Sequence, residues 1–257
     1  MADVCEKTFS DEITFVPAYT AGKEDKMSEA LNRRDAIVED VCHFFFLIDQ
    51  SESMIGDPIQ AVNDTMGTMV PTLLEAAETK EVIIMVHVLA YNDTVHWLCG
   101  STAEHGVPIE QFQWHEISAG GGKNTAGAIR AVLPGLSWRY LSYRSCDPIF
   151  ILITNGKNDS FEDIRCAAKD LDVWMSMEKG IIGHGDPDYD LFYKIRTIRM
   201  AFGVKEYNVQ NLAAFASTRW IYSLGEFDDM HYGELVFPLD EGVKRLAHSI
   251  RNSNLLS

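Results

Sequence analysis

The sequence predicts a doubly wound α/β domain, with a mostly parallel central sheet, one antiparallel edge strand and helices on both faces. Three observations carry that expectation. Short, continuous apolar runs recur along the chain, segments of helical apolar spacing alternate with them, and the runs end in polar, glycine-bearing loops. A chain of 257 residues with 46% hydrophobic and 11% aromatic content can bury a substantial core, and open α/β sheets of this size are routinely one domain.

Residues 1–40 are polar, with charge clusters at 23–26 and 32–40 and one strand-like portion at 12–16. They predict a partly ordered arm, and the domain proper is expected over 41–257. From Cys42 the character changes. His43-Phe44-Phe45-Phe46-Leu47-Ile48 is too short for a helix and suits a central parallel strand buried on both faces. After the loop 49–56, Asp57 suits an N-cap and Pro58 a first-turn position, and Ile59, Val62, Met66, Met69, Val70 and Leu73 follow helical spacing. A kink is expected at Pro71.

Val82 to Tyr91 is a second β-branched run. The turn Asn92-Asp93 leads into the alternating segment 94–98, which predicts a hairpin with an antiparallel edge strand. The glycine loop 118–125 precedes a helical pattern through Ala128, Ile129, Val132, Leu133 and Leu136. Ile149 to Thr154 reads as another buried strand, followed by a polar loop and a helix from Phe161. Strands at 198–204 and 220–224 and helices at 209–215 and 241–250 complete the alternation. In such sheets ligands bind beyond the carboxyl ends of the strands where strand order reverses, so the loops at Asp49, Gly120 and Asn155 are the candidate site.

Composition narrows the partners. Asp and Glu number 38 against 22 Lys and Arg, a formal charge of −16 that repels nucleic-acid phosphate and favours proteins. Five scattered cysteines without a paired spacing suit neither a disulfide framework nor a structural zinc site, and the reducing cytosol fits best. The acidic N-terminal segment does not read as a signal peptide, and no apolar stretch reaches the ~18 residues a membrane span needs.

Asp49-Gln50-Ser51-Glu52-Ser53-Met54 presents a carboxylate and two hydroxyls from one tight loop, the hard oxygen donors that suit magnesium or manganese. Its place after an apolar strand resembles the start of the metal-ion-dependent adhesion site of von Willebrand factor A (vWA) domains. Gly120-Gly121-Gly122 before a helix and the strand ending Thr154-Asn155-Gly156-Lys157 fall in that family's order. Within the family, the segment from Asp49 through Gly56 to Asn63, the triple glycine and the stretch from Thr154 to Asp159 are most similar to the TerY-like bacterial branch.

Two positions depart from the family's pattern. Lys123 stands where the resemblance implies a metal-facing threonine, with Thr125 two residues later, and Asn155 stands where it implies an aspartate. Together they make the pocket about two charge units more positive, which disfavours a divalent cation. The expectation is that the Lys123 ammonium occupies the metal position, bonded to Asp49, Ser51 or Ser53. With Lys123 drawn outward by Glu52, the residues Asp49, Ser51, Ser53, Thr125 and Asn155 would instead hold a weak magnesium or manganese ion.

The plainer readings stand beside these. The serine loop has an ordinary turn as its alternative. The glycine loop lacks the Lys-Ser/Thr pair and preceding strand of a phosphate loop, and 184–190 reads as an acidic surface turn. His43, His87, His96 and His115 are dispersed, with His87 in a strand where a hydrogen-bonded core role is commoner. Met66 and Met69 are core filling. No base and nucleophile stand at a recognisable spacing, so no catalytic residue is assigned and no cofactor is expected.

The functional expectation is therefore a cytoplasmic, non-enzymatic protein-binding adaptor. It would use Asp49, Ser51, Glu52, Ser53, Lys123, Thr125 and Asn155, with Lys123 receiving a partner's acidic side chain. The resemblance further implies a stress or phage-response system alongside protein kinases or phosphatases. The rivals are a conventional magnesium-dependent adhesion domain and an inert structural subunit.

Overall fold

The computed structural model describes residues 40–80, 82–99, 105–137, 140–141, 145–181, 197–217 and 220–224. Of the expected arm at 1–40, residues 1–39 lie outside the described residues, as do the acidic turn at 184–190 and the helix at 241–250, while Asp40 already belongs to the first strand.

Strand β1 (Asp40–Asp49) is the centre of a seven-stranded sheet. Its sequence alternates between faces, so Phe44, Phe46 and Ile48 enter one core while Phe45 and Leu47 enter the other. That double burial is why the run is apolar without a break. Strand β2 (Val82–Tyr91) pairs with β1 in parallel from Asp40↔Val82 to Asp49↔Tyr91. On the other side β5 (Ile149–Thr154) pairs in parallel, followed by β6 (Ile198–Gly203) and β7 (Ile221–Ser223).

The other edge is antiparallel, as the hairpin signal predicts: β3 (Val95–Trp97) folds back on β2. A two-residue strand β4 (Val107–Pro108) also pairs with β2, an addition to the single expected edge strand. Between them the Cys99 thiol accepts from Val88 N (3.0 Å) and donates to Val86 O (3.2 Å), bridging the ladder from one short pairing to the other.

Helix α1 (Asp57–Lys80) covers one face with Val62, Met66, Met69 and Leu73. It begins at Asp57 itself, and it continues through Pro71 to Lys80, so the proline does not end it. Helices α2 (Thr125–Ala131), α3 (Phe161–Ile181) and α4 (Val209–Phe215) cover the other face through Ile129, Ile164, Leu171 and Leu212. Helices on both faces of a mostly parallel sheet are the predicted doubly wound architecture. The strand order β3-β2-β1-β5-β6-β7 reverses between β1 and β5. Asp49 ends β1 and Asn155 follows β5, so both stand at the switch point.

Candidate functional site

The β1 exit loop is built by its own polar groups. Asp49 is fully buried, and its Oδ1 accepts from Ser51 N at 2.9 Å, which turns the chain out of the strand into the short turn Glu52–Met54. The glycine loop docks on it through backbone alone: Gly120 N donates to Gln50 O (2.8 Å) and Glu52 N to Gly121 O (2.9 Å). Asp93, from the β2–β3 turn, accepts from Gly122 N at 2.6 Å. Gly121 has φ +81, which favours glycine there, and a Cβ on Gly122 would lie 2.0 Å from Asp93 Oδ1, so a side chain at that position would have to displace this carboxylate.

This docking aims Lys123 inward. Its ammonium lies 2.7 Å from Asp49 Oδ2 and donates to Asn155 Oδ1 (2.9 Å) and Lys157 O (3.0 Å), with Thr154 Oγ1 at a longer 3.3 Å and Asp159 Oδ2 at 3.5 Å. The Lys123 side chain is only 7% exposed. Of the expected partners, Asp49 is met, whereas Ser51 and Ser53 bond elsewhere. Their hydroxyls share a hydrogen bond of 3.0 Å, and Ser53 Oγ and Asn155 face each other, with Asn155 Nδ2 also donating to Ser53 O at 2.8 Å. Glu52 is exposed and does not draw the lysine outward.

An ammonium has three protons. Asp49, Asn155 and the Lys157 carbonyl take all three at 3.0 Å or less, so Lys123 has none left for a partner's carboxylate. That corrects the expectation that Lys123 receives an acidic side chain. The arrangement ties the loops after β1, β5 and the glycine loop to one buried charge.

Several members of the cluster were not singled out from sequence. Thr154 Oγ1 donates to Asp49 Oδ2 at 2.6 Å and accepts from Gly156 N at 2.9 Å. Asp159 is carried back toward Lys123 by left-handed residues at Gly156 (φ 61) and Asn158 (φ 62), and the pair Asn155-Gly156 was the sequence signal for that reversal. Burial pushes the Asp159 carboxyl above its ordinary range, while the Lys123 ammonium and the Thr125 hydroxyl act in the other direction. Thr125 is not among the ammonium's hydrogen-bond acceptors. It donates to the Tyr91 hydroxyl at 3.2 Å, and Tyr91 is held well above its ordinary pKa by burial and by the charges of Asp49 and Asp159.

The residues as arranged do not fit a divalent cation. Magnesium would have to approach Asp49 to about 2.1 Å, on the side where the ammonium already stands at 2.7 Å. Even ~4 Å apart at an effective dielectric of about 20, the two cations would repel by about 8 kcal/mol. The alternative set of Asp49, Ser51, Ser53, Thr125 and Asn155 depends on Lys123 pointing away, and it points in.

The family profile of the von Willebrand factor type A domain matches residues 44–232. No curated protein sequence matches. Among solved structures, proximal thread matrix protein 1 from the mussel byssus is similar at 13% identity, covering 78% of this chain and 46% of that one with a TM-score of 0.44. Its second crystal form gives 14%, 81%, 48% and 0.47, and a form described with a zinc-occupied MIDAS motif gives the same values. The present chain thus spans about half the length of those structures.

Proposed function

Because the chain belongs to the von Willebrand factor type A domain family, whose members mediate protein interaction and adhesion, we propose that it is a non-enzymatic protein-binding adaptor whose adhesion-site loops work without metal. The observation that carries this reading is the Lys123 ammonium, 2.7 Å from the fully buried Asp49 carboxylate. In that place the lysine supplies internally the positive charge that organises the loops, and the outward faces of those loops are left for a partner. The hydroxyls of Ser51 and Ser53 bond each other and Asn155 rather than a general base, which favours binding over catalysis. The finer placement follows from resemblance to the TerY-like branch: a cytoplasmic component of a bacterial stress or phage-response system acting beside kinases or phosphatases.

Calorimetric titration with magnesium and then manganese tests the metal-free reading. The unaltered, chelator-stripped protein is expected to show no saturable heat, and Lys123→Thr combined with Asn155→Asp is expected to bind. Saturable binding by the unaltered protein overturns the proposal and restores a conventional metal-dependent site.

A further inference from the structure

Six large apolar side chains are exposed among the described residues, and three of them stand at the exits of adjacent strands: Ile55 (58%) after β1, Phe161 (46%) at the start of α3 after β5, and Val209 (55%) at the start of α4 after β6. Isolated exposed apolar residues are ordinary, but apolar residues gathered on one face mark interaction surfaces. These three loops are fastened to one another. Asn155 Nδ2 donates to Ser53 O (2.8 Å), Asn208 N to Asn155 O (2.9 Å), and Asn211 Nδ2 to Asp159 O (3.0 Å). The apolar side chains therefore ride on one connected rim around the Lys123 seat.

Charge on the same rim is mainly negative. Glu52, Asp57, Asp93 and Asp163 are exposed on the loops and first helical turns, and Glu206 is paired with Lys157 at 3.6 Å, which leaves Lys205 as the opposing exposed cation on these segments. Lys123 does not offset them, because its charge is balanced inside the seat by the Asp49 carboxylate at 2.7 Å. A partner carboxylate would meet repulsion here, whereas a cationic segment would be attracted.

We propose that this rim docks a protein segment carrying apolar side chains flanked by Lys or Arg, with Ile55, Phe161 and Val209 as its apolar contacts. The inference rests on the reading of the domain as a protein-binding module and reverses the partner chemistry that a metal-bearing site of this kind selects. Apolar anchors give such an interface its affinity, and the acidic rim gives orientation and on-rate.

The test uses the full chain and three synthetic peptides of equal length, alternating Leu with Lys, Leu with Glu, and Ser with Lys. Methyl resonances of Ile55 and Val209 are followed in chelator and again in magnesium. The Leu-Lys peptide is expected to shift both saturably and equally in the two buffers. Its affinity, read by calorimetry in both proteins because the variant lacks the reporter methyls, is expected to fall roughly tenfold or more in Ile55→Ser/Phe161→Ser/Val209→Ser. It should also weaken in Glu52→Lys/Asp163→Lys, a variant that leaves the apolar residues intact. Equal binding of the Ser-Lys peptide, undiminished binding by the triple serine variant, or no saturable shift with any peptide overturns the proposal. Preferential binding of Leu-Glu in chelator overturns the partner chemistry alone. The same preference seen only with magnesium overturns the metal-free reading as well.

Discussion

Strand β1 buries a titratable side chain near each end, and the two ends solve the same electrostatic problem in opposite ways. At the carboxyl end Asp49 is matched by an ammonium, with further bonds from Thr154 and Ser51 N. Toward the amino end His43 is 7% exposed, and its Nδ1 lies 3.0 Å from His87 Nε2 on β2. His87 is stacked on Phe45 with ring centroids 4.1 Å apart, and Gly106 leaves room for it, since a Cβ there would lie 2.6 Å from His87 Nε2. One end keeps its charges and pairs them; the other suppresses charge, because burial lowers the His43 pKa to about 4. The difference teaches that the sheet's interior tolerates ions only where loops can close oxygen ligands around them.

Removing the cation should break the comparison most sharply. Lys123→Met leaves Asp49 buried opposite an apolar chain, and loss of one partner of a buried pair costs about 3–5 kcal/mol. Urea unfolding is expected to show a loss of that size, with most of it recovered in Lys123→Met/Asp49→Asn, where the stranded charge is also removed. A single-variant loss below about 1 kcal/mol would mean that the ammonium is not what holds the loops.

Acid should break the other end. With a folded pKa of about 4 against an ordinary 6.5, His43 binds more protons unfolded than folded between those values. Its contribution is intact above pH ~6.5 and declines as the pH falls toward ~4, by about 3 kcal/mol in all. Unfolding free energies measured across that window should fall less steeply in His43→Gln than in the unaltered protein. Identical slopes would show that the histidine pair is not the source of the acid sensitivity. Nuclear-resonance titration of the two imidazoles gives the same answer directly.

How legible these two ends were in the sequence differs for a physical reason. The apolar run at 43–48 has one reading because both faces of a central strand are buried, and the Asn92-Asp93 turn marked the hairpin. Lys123 was legible as a misfit at the seat, and of its ligands only Asp49 was. The lysine stem reaches several loops, and its final position depends on where Thr154, Lys157 O and Asp159 are carried by backbone geometry that no periodicity encodes. Tyr91 read as strand core, and it reaches Thr125 because the register places it opposite Asp49. The histidine pair depends on the same cross-strand register, and β4 is two residues long and includes Pro108, too little for a pattern.

The smallest expected effect separates the seat from its support. Asn124 caps α2, its Oδ1 accepting from Gly127 N at 2.9 Å, and it adjoins Lys123 in the chain. Asn124→Ala should cost about 1 kcal/mol, the usual loss of a cap, because the glycine loop keeps its backbone bonds to Gln50 and Glu52 and the ammonium keeps Asp49. Urea unfolding of this variant beside Lys123→Met ranks the two. A cap loss equal to the lysine loss would place the loop's anchorage in the helix start instead of in the ion pair, and the contrast between the two ends of β1 would then be one of helix capping as much as of charge.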